Sequence, residues 1–233
     1  MRWLRRLLPV AARKLCRLSE IQLYYIKSQR NEKPLNFRNK RKKVAIYGGT
    51  FDPIHAVHLI VAEQARDALG LDEVWFMPAR LPPHKLGNPI TEDKHRVAMV
   101  ELAIADNPYF SLSTVELEME CSQPSYTYHT VRLLKERHPD TEFYFIIGGD
   151  MAKHLPKWYK IEELITMVKF VVLARPGYIM DNKYMQDVIQ VRMPQLDVSS
   201  TMIRQKAADG KSIRYLVPEA VRLYIEEKRL YEA

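Results

Sequence analysis

Cysteine is scarce in this chain. Cys16 and Cys121 are its two thiols among 233 residues, too few and too far apart in sequence for a disulfide framework, so reduced thiols in the cytoplasm are the default expectation. Long apolar runs are missing as well. Nothing approaches the ~20 consecutive residues that a membrane-spanning helix requires, and no stable membrane insertion is expected. Acidic residues are absent before Glu20, and Arg13 with Lys14 breaks the apolar stretch in that region after only a few residues, which argues against a secretory signal. No internal repeat and no long low-complexity segment appears.

What is present is the composition of an ordinary globular chain, 47% hydrophobic and 27% charged, most economically one domain with a sizeable core. The formal charge of +8 alone would point to an acidic partner, but its distribution overturns that. Residues 1–43 hold 14 Lys or Arg against Glu20 and Glu32, a net +12, which leaves 22 basic and 26 acidic residues, net −4, in the remainder. The body is mildly acidic and the basic excess is a tail. Arg2, Arg5, Arg6, Arg13, Lys14 and Arg17 alternate with leucines, a pattern that suits an amphipathic helix at a membrane surface or for organelle targeting. Loose, sequence-independent binding to nucleic acid is a second reading. An extended or mispredicted N-terminus, disordered or weakly helical, is the third and the favoured one. The expected organisation is a basic extension over 1–40 and a single domain over 41–233, with no specific nucleic-acid partner and with a homo-oligomer left open.

Along the body, apolar periodicity predicts strands at Lys43–Tyr47, Val74–Met77, Glu142–Ile147, Phe170–Ala174 and Val188–Arg192, with Phe110–Leu117 extended. Helices are predicted at Leu59–Leu69, Asp93–Ala105, Thr127–Arg137, Ser200–Ala207 and Pro218–Lys228. This alternation implies an α/β fold, a mainly parallel sheet with helices on both faces. Ligands of such sheets bind beyond the carboxyl ends of the strands, where the candidate functional segments fall.

The most informative segment is Gly48-Gly49-Thr50-Phe51-Asp52-Pro53-Ile54-His55-Ala56-Val57-His58. It joins a β-branched strand to a helix start. Glycines let the backbone approach an anion, and the helix offers free amides and the positive end of its dipole. His55 and His58, three apart, would face one way. A plain tight turn and a partial metal site are the alternatives for the separate parts. Metal is the poorer one, since zinc sites normally need three or four ligands and no cysteine or third histidine lies nearby, so no metal site is assigned to the protein. Ser199-Ser200-Thr201 reads as a cluster of helix-capping residues, and Arg204, about one turn on, makes the same helix start a second candidate anion site. Gly148-Gly149-Asp150 ends a strand, where Asp150 either caps the next helix or accepts hydroxyl hydrogen bonds. Trp158, in the polar stretch Lys157-Trp158-Tyr159-Lys160, offers an aromatic face to a flat ring or packs under a loop.

Taken in order with Trp75-Phe76-Met77-Pro78, Pro82-Pro83-His84-Lys85, Pro124-Ser125-Tyr126-Thr127, Leu155-Pro156-Lys157-Trp158-Tyr159, Arg175-Pro176-Gly177 and Val198 to Arg204, these segments resemble the bacterial nicotinate-nucleotide adenylyltransferase family, a Rossmann-like, doubly wound fold. The resemblance runs from about Lys43 to Tyr231. It implies adenylyl transfer from ATP, accompanied by Mg2+, to nicotinate mononucleotide, giving deamido-NAD and pyrophosphate. It implies that His55, His58 and Arg204 act on the polyphosphate. Gly48, Gly49, Thr50, Phe51, Gly148, Asp150, Arg175, Ser200 and Thr201 would bind the rest of ATP, and Thr127, Trp158, Tyr159, His84 and Lys85 the nicotinate mononucleotide. Two positions depart from the family pattern. Val57 stands for the glycine between the histidines, where a branched side chain would narrow the adenine pocket, and His129 stands for an aspartate. Nicotinamide mononucleotide or another phosphate acceptor is the alternative within the class. The alternative of another class is a non-catalytic nucleotide-binding protein docking through its basic tail.

Overall fold

In a computed structural model of the chain, the residues described are 41–80, 90–119, 126–174, 183–192 and 196–232. Six strands form one sheet: β1 (Lys42–Gly49), β2 (Glu73–Pro78), β3 (Phe110–Leu112), β4 (Thr141–Gly148), β5 (Lys169–Ala174) and β6 (Val188–Arg192). All pairings are parallel, in the order β3-β2-β1-β4-β5-β6. The helices are α1 (Ala56–Leu69), α2 (Asp93–Ile104), α3 (Val115–Glu118), α4 (Thr127–Arg137), α5 (Gly149–Ala152), α6 (Ile161–Met167), α7 (Ser200–Ala208) and α8 (Glu219–Glu227). The expected α/β class is the observed one. Among the described residues no helix is long and apolar enough to cross a membrane.

Strict alternation along the central strands divides the core. Val44 and Ile46 of β1, with Phe143, Phe145 and Ile147 of β4, face a cluster completed by α4 and α6. Ala45, Tyr144 and Ile146 face the opposite cluster, completed by α1, α2, α7 and α8. Successive side chains of a strand point to opposite faces, so a strand covered on both sides reads as continuously apolar. That is why β1 and β4 were visible in the sequence. At ~1.5–3 kcal/mol for each fully buried large side chain, the two layers hold the sheet rigid behind its carboxyl edge.

Two expectations need correction. The extended reading of Phe110–Leu117 holds only to Leu112. The chain then turns into α3, with the Thr114 carbonyl accepting from the Leu117 and Glu118 amides and the Thr114 hydroxyl donating to Glu118. Phe110 with Leu112 and Val115 with Leu117 each imitated a strand's alternation, but the two pairs are three apart, out of phase with a single strand. The helix at Ile161–Met167 was not anticipated. Its seven residues are too short for helical periodicity to stand out, and it is held by Ile161 and Leu164 in the core.

At the end of β1, Gly49 has a specific reason to be glycine. A Cβ there would lie 2.9 Å from the Phe51 ring, whereas one at Gly48 would meet Phe145 at 3.5 Å. Phe51 itself is buried with φ +50°. Gly49→Ala is therefore expected to destabilise the fold by about 1–3 kcal/mol through overpacking, and Gly48→Ala by clearly less, as read from urea unfolding of the two variants side by side.

Candidate active site

The strand order reverses between β1 and β4. The register places Tyr47 opposite Ile146, so Gly49 and Gly148 end their strands side by side. A cavity of about 360 Å3 opens there, lined by Tyr47 to Thr50, by Phe145 to Gly148, and by Glu116, Thr127, Lys157, Trp158 and Tyr159 among others. This is the topological switch point at which doubly wound sheets take their ligands.

His55 is the N-cap of α1 and His58 its third residue. The His55 backbone N–H donates to His58 Nδ1 at 3.1 Å. The His55 ring faces the His58 amide as in a capping box, although its buried Nδ1 does not close a hydrogen bond of ordinary geometry. The two rings stack, centroids 3.7 Å apart, and edges of Tyr47 and Phe51 pack on His58. The expectation that both histidines face one way holds, and their spacing has a second use as a histidine version of the capping box. With Nδ1 of His58 accepting, the proton of the neutral ring sits on Nε2, which makes that nitrogen the donor. Burial lowers the pKa of His55 to about 4, so near neutral pH it is an uncharged donor.

The second candidate anion site adjoins the first. Ser199 caps α7, its hydroxyl accepting from the Met202 amide at 3.2 Å. Ser200 Oγ donates to the Pro53 carbonyl at 2.9 Å. Arg204 donates from Nη1 to the Asp52 carbonyl at 2.7 Å and from Nη2 to Thr201 Oγ1 at 3.4 Å. Segments about 150 residues apart in sequence thus meet around one loop. Asp150 lies exposed within the first turn of α5, whose N-cap is Gly148, so capping is not its role.

On the other side of the cavity Thr127 opens α4. Trp158 is wedged edge-on against Phe145 and Phe170, at 6.2 and 5.7 Å between centroids, while still lining the cavity. The packing reading of this tryptophan holds, and the same ring also borders the cavity. Tyr159 stacks with Tyr126 at 4.9 Å, and His129 lies 5.5 Å from Tyr159. Val57 is half-buried and packs against the core cluster that includes α1 and α2; like His55, His58, Thr201 and Arg204, it does not line this cavity. His84, Lys85 and Arg175 lie outside the described residues.

A family model described as cytidylyltransferase-like matches residues 46–206. Nicotinate-nucleotide adenylyltransferase of Bacillus subtilis is 47% identical over 192 residues, covering 82% of this chain and the whole of that protein. The "Probable nicotinate-nucleotide adenylyltransferase" of Geobacillus thermodenitrificans is 53% identical over 191 residues, 82% of this chain and 87% of its own length. The chain belongs to the nicotinate-nucleotide adenylyltransferase family. A solved structure of Plasmodium falciparum nicotinic acid mononucleotide adenylyltransferase complexed with NaAD is 24% identical and superposes with a TM-score of 0.68, covering 82% of this chain and 97% of that one. It shares the α/β fold of this chain.

Sequence reasoning missed three residues of the site. Glu116, 6% exposed, lines the cavity and accepts from Thr130 Oγ1 at 3.2 Å. It was hidden because α3 was read as extended. Arg96, fully buried, donates to the Thr50 carbonyl at 2.7 Å, to the Thr91 carbonyl at 3.0 Å and to Asp93. Tyr231, near the C-terminus, donates to Asp52 Oδ1 at 2.7 Å. A helix arginine and a terminal tyrosine carry no local signal of such contacts.

The buried His55 has a measurable consequence. Its folded-state pKa lies below the unfolded value near 6.5, so between pH 6.5 and about 4 the unfolded chain binds the extra proton. Stability is then fully present above pH 6.5 and falls as the pH drops through that window, by on the order of 3 kcal/mol at its lower end. Urea unfolding of wild type and His55→Asn at pH 7 and pH 4.5 is expected to show a smaller acid loss in the variant.

Proposed function

We infer that this protein transfers the adenylyl group of ATP to nicotinate mononucleotide, with deamido-NAD and pyrophosphate as products. The observation that carries the reading is the carboxyl end of β1, where the loop carrying the stacked histidines and held by Arg204 leaves the strand and where Gly48 to Thr50 line a cavity shared with Trp158 and Tyr159. An oxygen of the acceptor's phosphate attacks the α phosphorus of ATP in line, and the bond from that phosphorus to the bridging oxygen of pyrophosphate breaks. No protein nucleophile is required. His55 and His58 donate from Nε2 to phosphate oxygens, and Arg204 with Thr201 holds the leaving pyrophosphate, so catalysis is positioning and charge stabilisation. Trp158 stacks on the pyridine ring. Thr127 and the Tyr159 amide, which has no protein hydrogen bond among the described residues, receive its carboxylate. By resemblance Asp150 and Arg175 serve ATP, and His84 and Lys85 the nicotinate mononucleotide. Mg2+ would accompany ATP and supply charge neutralisation on its phosphates. Residues 41–233 form the catalytic unit, 1–40 an extension outside it, and the cytoplasm is the working compartment.

Pyrophosphate release from ATP is expected with nicotinate mononucleotide, and more slowly with nicotinamide mononucleotide; no turnover with either acceptor would sink the reading. Loss of one phosphate donor, in His58→Ala or Arg204→Ala, is expected to remove about 2–4 kcal/mol of transition-state stabilisation. Trp158→Ala should raise the acceptor KM roughly 5- to 100-fold, a stacking loss of ~1–3 kcal/mol, with the ATP KM unmoved. Because Val57 packs inward, Val57→Gly is expected to change the ATP KM less than about threefold while costing about 1–2 kcal/mol of stability through lost packing and helix propensity. Steady-state kinetics with thermal unfolding checks both halves of that statement.

A further inference from the structure

The segment from Thr50 to His55 has no regular secondary structure, and its buried polar groups must find partners elsewhere. Arg96 takes the Thr50 carbonyl, Arg204 the Asp52 carbonyl and Ser200 the Pro53 carbonyl. The Asp52 side chain, 3% exposed, is different because it carries a carboxylate. Its oxygens accept from Tyr231 Oη at 2.7 Å and from the Thr91 amide at 3.4 Å. The tyrosine hydroxyl is the short bond of the two. Tyr231 holds a left-handed backbone conformation, φ +68°, which a non-glycine residue keeps only where its surroundings enforce it. Its ring packs against the core cluster that includes α1 and α8.

We propose that Tyr231 is a positioning residue for adenylyl transfer: through Asp52 the end of the chain sets the loop that places His55 and Arg204. The proposal rests on the functional reading above. Asp52 offers its carboxylate to Tyr231 and its carbonyl to Arg204, so a change at one end of this residue reaches the guanidinium at the other. A buried carboxylate that loses its short donor is costly to leave as it stands, and the least disruptive remedy is to turn the Asp52 side chain toward water. That movement carries the carbonyl held by Arg204, and the loop into His55, with it. Thr127, Trp158 and Tyr159 share none of these hydrogen bonds, so acceptor binding is insulated from the change.

Tyr231→Phe deletes one oxygen and keeps the ring. Tyr224→Phe supplies the control: its hydroxyl makes a 2.9 Å bond to His95 Nδ1, from the same C-terminal segment to α2, without touching the loop. The expected result is a kcat lowered roughly 10- to 100-fold in Tyr231→Phe, the scale of a small misplacement of catalytic groups. Its KM for nicotinate mononucleotide should stay within about twofold, and Tyr224→Phe should keep wild-type kcat. Amide hydrogen exchange over residues 50–58 should accelerate in Tyr231→Phe and not in Tyr224→Phe. An unchanged kcat in Tyr231→Phe, or equal losses in both variants, overturns the proposal, because a general loss of stability would affect them alike. If wild type turns over no acceptor, the functional reading fails by itself, and equal exchange in the two variants then overturns the brace independently.

Discussion

The loop from Gly49 to His55 must present two histidines at a fixed angle without a ladder of its own, and everything distinctive in this structure follows from how its polar groups are satisfied. Three backbone carbonyls are taken by Arg96, Arg204 and Ser200, and one carboxylate by Tyr231 and Thr91. The first amide of α1, at Ala56, donates to the Leu216 carbonyl at 2.9 Å. These donors come from α2, α7 and the C-terminal segment, so the loop is rigid only when the whole domain is folded around it. A loop held this way gains precision from the scaffold rather than from its own hydrogen bonding.

The sheet supplies the second constraint. Because the order reverses between β1 and β4, the loops leaving these two strands diverge to opposite faces and leave a crevice between them. One face carries α1 and α7 with His55, His58 and Arg204. The other builds the aromatic pocket with α4 and the turn before α6.

Much of this was legible in the chain itself. The central strands are continuously apolar because both faces are covered, and β6 was found at Val188–Arg192, the bounds observed. The glycine turn after β1, the α7 cap and the Trp158 loop were each recognisable from residue types whose chemistry is local: glycine, N-cap serine, a tryptophan in a polar stretch. What escaped was long-range. Arg96 looks like any charged helix residue until its guanidinium is found fully buried against carbonyls from Thr50 and Thr91. Glu116 was concealed by an alternation that imitated a strand.

The sequence by itself determined the α/β class, the order of the main strands and helices and the place of the glycine turn, because hydrophobic periodicity and the special backbone of glycine act over a few residues. Only the tertiary structure decided why Gly49 is glycine, which is the Phe51 ring packed over it. It also decided that Val57 faces the core, and that the chain's last tyrosine reaches Asp52 across 179 positions. Those outcomes depend on which buried donors and acceptors the fold brings within hydrogen-bonding distance, and no local pattern encodes that distance.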